Sequence, residues 1–238
     1  MTISTLPTLF VVQIVFCLSL GYRTSAISLR ATAIIAAAMS VWASLTTWLA
    51  LSGVYDAECF LTLLPSLWLP SVPFIIVGLA LVSPSVRRGL VELAATTPAH
   101  WLVAVQALRI LAIGTLIKTF QGTFPWEVEL AIGLTDLAFG LSAIWVFILV
   151  RDARIHSDAL VLWHITGIAL ILVPGLLALQ TGLPGAMQVF DRPPTSAVML
   201  DWPMVLGPTL VVPVFLLLNL LGAAAARYAP VRSKGVTS

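Results

Sequence analysis

Charge is what this sequence has least of. Asp, Glu, Lys and Arg together make up 9% of its 238 residues, against a hydrophobic share of 60%. A soluble domain keeps its surface wet with roughly 25% charged residues. A soluble fold is therefore excluded, and a polytopic, all-α membrane protein is expected. At ~20 residues per crossing, the length allows about seven or eight spans with short loops and no separate soluble domain. The net charge of +2 is read as topology rather than as a footprint for an acidic partner or nucleic acid.

Other scarcities narrow the chemistry. The two cysteines, Cys17 and Cys59, fall toward opposite faces of the expected bundle. A disulfide needs Cα atoms within ~7 Å, so no intramolecular bridge is expected, and no Cys/His spacing matches a zinc site. The three histidines, His100, His156 and His164, gather toward one side. They cannot supply paired axial ligands at two depths, which excludes a multi-haem b-type cytochrome and leaves a single peripheral haem open. The lysines are Lys118 and Lys234; neither lies within the seventh apolar segment, so a rhodopsin-like Schiff base there is excluded. No G-x-S-x-G, H-E-x-x-H or phosphate-binding glycine loop occurs. No cofactor or metal is expected. Met1 to Phe10 carries no Lys or Arg and no A-x-A-like site follows, so the first apolar run is expected to stay as a span rather than be cleaved.

What is present is hydrophobic length. Seven apolar segments stand out, roughly 4–21, 29–53, 62–83, 100–119, 126–150, 158–179 and 203–226. Each is long enough to cross a core of ~30 Å. Residues 1–238 read as one transmembrane domain, a seven-helix bundle. Arg23, Arg30, Arg87, Arg88, Arg151, Arg154, Arg227, Arg232 and Lys234 fall on one side, and only Lys118 and Arg192 on the other. That asymmetry places the N-terminus outside and the C-terminus in the cytoplasm. Small residues in the second segment, including Ala36, Ser40 and Ala43, predict close helix packing. Pro65, Pro70 and Pro73 predict a third segment that is kinked or unwound in its outer half, or else begins late near Pro73. The loop of roughly 180–202 is the longest and is expected to cap the outer mouth. Trp101, Trp126 and Trp202 read as interfacial anchors.

The strongest functional signal lies between His100 and Arg151. Arg109 sits near the middle of the fourth segment and Asp136 near the middle of the fifth. A charge at the centre of a helix costs about 2.5–3.5 kcal/mol on insertion scales, so it needs a partner or a purpose. The two segments join through a short turn, which makes an Arg109–Asp136 pair reasonable. Gln106 is one turn from Arg109 on the same face, and Thr135 and Ser142 add hydroxyls. One reading is a ligand-binding or proton-coupling site; the other is a fixed pair that specifies packing. His164 joins the candidate site as a group able to titrate near neutral pH, or serves only as an interhelical hydrogen bond. Gly133 and Gly140, seven apart on one face, predict close approach by the fourth segment.

The pattern Gln106-x-x-Arg109, Gly114, Gly122-x-x-Pro125, Gly133-x-x-Asp136-x-x-x-Gly140, Trp163-x-x-x-Gly167, then Pro208 and Pro213, resembles a family of uncharacterised bacterial multi-pass inner-membrane proteins. The resemblance covers roughly 100–222. It implies that Arg109 and Asp136 belong to a common scaffold and supplies no activity; where that family commonly has Asn after the Trp, this chain has His164. Three functions are carried forward. The first is a protein of the bacterial inner membrane that binds or transports a small solute at Arg109, Asp136 and Gln106, with Asp136 as the protonatable partner. The second is a structural or accessory subunit of a membrane complex, with a protein partner and no site of its own. The third is an intramembrane enzyme on a lipid or isoprenoid, using Asp136, Glu127 or His164, and the sequence favours it least.

Overall fold

The computed structural model describes residues 4–228 and contains helices, with no strand among the described residues. Eight longer helical stretches follow one another: α1 Leu6–Thr24, α2 Ala26–Leu51, α3 Pro65–Ala80, α4 Pro84–Thr96, α5 Ala99–Phe120, α6 Trp126–Arg151, α7 Ser157–Thr181 and α8 Gly207–Tyr228. Six of them (α1, α2, α5, α6, α7 and α8) are long and apolar enough to cross a membrane. The α3–α4 pair passes the same test only when taken together, across a bend of 107°.

Proline and polar caps set the boundaries. A single residue, Ser25, separates α1 from α2; its Oγ accepts from the Ser28 backbone N–H at 3.1 Å, capping the second helix. Pro84 and Pro125 open α4 and α6, where a missing N–H costs nothing. Gly122, at φ +71°, ends α5 in the left-handed conformation that glycine adopts without penalty.

The third apolar run differs from the 62–83 span expected of it. Residues 54–61 form two isolated helical turns, and α3 starts at Pro65 and passes through a 3₁₀ turn at Leu69–Ser71 before Val72–Ala80 becomes regular. Its outer half is thus irregular rather than absent. At 1.5 Å per residue it extends roughly 24 Å, short of a full crossing. The chain then turns into α4, which falls between the third and fourth apolar segments. There Val86, Leu93 and Ala94 are buried while Arg87 and Arg88 are exposed, an amphipathic arrangement lying across the end of α2. The Ser28 hydroxyl donates to the Gly89 carbonyl at 2.9 Å, and a Cβ on Gly89 would come within 2.8 Å of the Ile27 carbonyl.

The bundle is organised around its last helix. Of the most apolar stretch of α8, 72% is buried, against 17% for α2 and 28–33% for the other four long helices. Around it the outer helices turn apolar side chains outward, among them Val41, Trp48, Leu79, Trp145 and Leu162, each more than 60% exposed. An apolar exterior around a filled centre is what lipid as solvent selects. The chain is a multi-pass membrane protein. Cys17 and Cys59 are both free thiols. Arg232 and Lys234, two of the residues used to read orientation, lie outside the described residues.

Candidate functional site

Arg109 projects from the middle of α5, where residues Val105–Ala112 wind as a 3₁₀ helix. An eight-residue run of this kind is unusual and marks a strained or hinge-like stretch. The neighbouring α6 approaches it closely because Gly140 carries no side chain: a Cβ there would sit 2.6 Å from the Ile110 backbone nitrogen. That approach brings Asp136 within reach. Its Oδ1 accepts from Nε of Arg109 at 2.6 Å and forms an ion pair with Nη2 at 2.6 Å. The guanidinium also donates to the Gly167 carbonyl at 3.4 Å and, at 3.5 Å, to Gln106 Oε1. Gln106 in turn donates to the Phe215 carbonyl of α8 at 3.4 Å.

Arg109 is also stacked. Its guanidinium carbon lies 4.6 Å from the centre of the Phe139 ring, and Phe139 stacks on Trp163 at 4.5 Å. The Trp163 indole N–H then bonds Ser142 Oγ at 3.1 Å. Gly167 makes room, since a Cβ there would overlap the Phe139 ring. A buried cation is therefore met by a carboxylate, a carbonyl, an amide and a π face. Such saturation offsets the cost of desolvation.

Asp136 is not saturated. Among the described residues no donor reaches its Oδ2, and the residue borders a cavity of about 140 Å³ between α1, α5, α6, α8 and the loop before α8. Leu108, Gly114, Thr115 and Lys118 line one wall along α5. Lys118 reaches across to the Met204 sulfur at 3.1 Å. The 182–206 loop packs on this end of the bundle, tied by Ser196 Oγ to the Ala178 carbonyl at 3.1 Å. At about 30 Å³ per water, the cavity holds several waters or one small solute. All three irregular stretches of the long helices meet here: the 3₁₀ run of α5 and the π-helical turns Glu129–Gly133 in α6 and Gly207–Val211 in α8. Turns of the π type concentrate at functional sites.

Of the four residues singled out in the sequence, Arg109, Asp136 and Gln106 come together and His164 does not. His164 Nδ1 lies 2.9 Å from Asn219 Oδ1, in a separate layer where a Cβ on Gly222 would overlap its ring. Glu127, the other acid considered for catalysis, is exposed. Among the described residues, no group of three or more His, Cys, Asp or Glu is placed to hold a metal ion.

Glu129, three residues into α6, is wholly buried. Among the described residues neither carboxylate oxygen has a hydrogen-bond donor; the Thr115 hydroxyl is beside them but donates to the Ala112 carbonyl at 2.7 Å. The nearest atoms that a Cβ on Gly133 would meet are those of the Glu129 carboxylate, which folds back over it. The signal was there to find: Glu129, Gly133, Asp136 and Gly140 recur at the three- and four-residue intervals of one helix face.

Fold and site together define a multi-pass, all-helical membrane protein with a buried ion pair at the base of a cavity. The chain belongs to a family defined by a domain of unknown function, DUF8737, which matches residues 64–224 and so takes in α3 to most of α8. No curated protein and no solved structure matches it.

Proposed function

We propose that this is a bacterial inner-membrane protein that binds or moves a small solute through the cavity ending on Asp136. In this reading the chain crosses seven times, the bent α3–α4 pair counting as the third crossing, with its N-terminus outside and its C-terminus in the cytoplasm. The orientation follows from the basic residues at the ends of α1, α6 and α8 and along α4. The observation that carries the proposal is the free Oδ2 of Asp136 at the cavity wall, beside an ion pair that holds the carboxylate in place. Irregular backbone at membrane depth is tolerated where it lines a cavity, and three such stretches do so here. In a mostly apolar lining, Asp136 and Lys118 suit a solute that donates hydrogen bonds toward the first and accepts them toward the second. Arg109 acts as a positioning residue, since its own donors are taken.

The test uses Gly114→Leu. A Cβ at Gly114 meets nothing within 4 Å, and the residue lines the cavity. The substitution therefore fills the space without touching a charge. Native mass spectrometry on protein extracted gently from its own membrane should show a small molecule retained by the wild type and lost from Gly114→Leu, with thermal stability unchanged. A molecule retained equally by both would sink the proposal.

The accessory-subunit reading draws on a different observation, the saturation of Arg109. It predicts a co-purifying membrane protein in the same spectra and no small molecule.

A further inference from the structure

The cavity reading leaves one buried charge-bearing group unused. Glu129 is fully enclosed, its two oxygens have no donor, and the π-helical turn that carries it puts Gly133 at the cavity wall. An ionised carboxylate in such a place costs several kcal/mol by desolvation, and proteins answer that cost with a partner or a proton. The charged and titratable groups around it are few. Lys118 lies on α5 and is engaged with Met204; Arg109, also on α5, is committed to Asp136; Glu127 and Asp136 are on its own helix. Between Ile165 and Thr181, α7 packs against this turn and brings no titratable side chain. A metal ion would want several oxygen ligands, and among the described residues Thr115 brings a hydroxyl beside the carboxyl.

We infer that Glu129 is a proton-binding site that exchanges its proton with water in the cavity. The acid form gives its proton to a cavity water, leaving carboxylate and hydronium, and the reverse step restores it. Asp136 already has its partner in Arg109, through one hydrogen bond and an ion pair, and among the described residues Glu129 has none. The coupling of this proton to a solute rests on the cavity reading; the proton site itself rests only on the burial of Glu129.

Infrared difference spectra of the protein in phosphatidylcholine vesicles test it, recorded in H₂O and D₂O at a neutral pH where exposed carboxylates are ionised. The wild type should show a carboxylic-acid C=O band that moves down in D₂O. Glu129→Gln should lose the band, and Asp136→Asn should keep it. Gly133→Ala gives an independent check. The atoms its new methyl meets are the flexible end of Glu129, so it should fold, keep the band and shift it. No band in the wild type, a band that survives in Glu129→Gln, or one unmoved by Gly133→Ala or by D₂O would overturn the inference. A band lost in Glu129→Gln from protein that retains no solute supports the proton site while counting against the solute reading. A retained solute with no band sinks the proton site alone.

Discussion

Asp136 and His164 are both buried within membrane helices, and each is held by a side chain from a neighbouring helix, Arg109 at 2.6 Å and Asn219 at 2.9 Å. Their surroundings differ. At Asp136 the backbone departs from the α-helix on α5, nearby on α6 and on α8, and a cavity remains. Around His164, α7 and the facing part of α8 are regular, and Gly222 accepts the imidazole directly. Both layers satisfy the demand that polar groups in lipid find partners. Only the first keeps irregular turns and open space, which stability alone does not require. That surplus separates a candidate site from a packing device.

The largest effect that would sharpen this contrast comes from Asp136→Asn. Removing one partner strands a buried cation and should cost about 3–5 kcal/mol, read from unfolding in mixed micelles. Arg109→Gln combined with Asp136→Asn should be milder than Asp136→Asn alone, because no charge is left behind. A double variant as damaged as the single one would mean that the pair does not account for the loss.

Asn219→Ala should cost less, about 1 kcal/mol, in line with interhelical hydrogen bonds measured in membranes. It should also leave any retained solute in place. Loss of the solute from this variant would break the distinction between the two layers.

The smallest effect lies in the loop over the cavity. Burial, and secondarily the charge of Asp56, hold the Asp201 carboxyl above its ordinary range. A carboxyl raised in the folded state stabilises most below its unfolded value, and the contribution is lost as pH rises through the folded one. Acidifying through the carboxylate range should therefore raise the melting temperature slightly, and Asp201→Asn should remove that increment.

Much of this was readable from residues alone. Arg109 and Asp136 stood out because a charge in a long apolar run has nowhere to hide, and the long helices followed from hydrophobic length. Glu129 was missed because it stands three residues from Trp126, where an acid looks interfacial; the face it shares with Asp136 outweighed that position. Helix α4 was missed because Arg87, Arg88 and Glu92 made it look like loop, although Val86, Leu90 and Leu93 keep helical spacing. The π turn of α8 had its signal in Pro208 and Pro213, which remove backbone donors from the helical ladder. The 3₁₀ run of α5 and the π turn of α6 contain no proline and had no comparable signal.

The burial of α8 has a consequence for how the molecule is made. The helix on which the others converge is the last of the described segments to leave the ribosome. Until it enters, α1, α2, α5, α6 and α7 can settle side by side in lipid, but the centre of the bundle is missing. Gln13, Trp42, Gln106 and His164 each wait for a partner on that segment, at Val211, Thr209, Phe215 and Asn219. Assembly of the bundle thus waits for α8, and that one arrival closes four polar contacts.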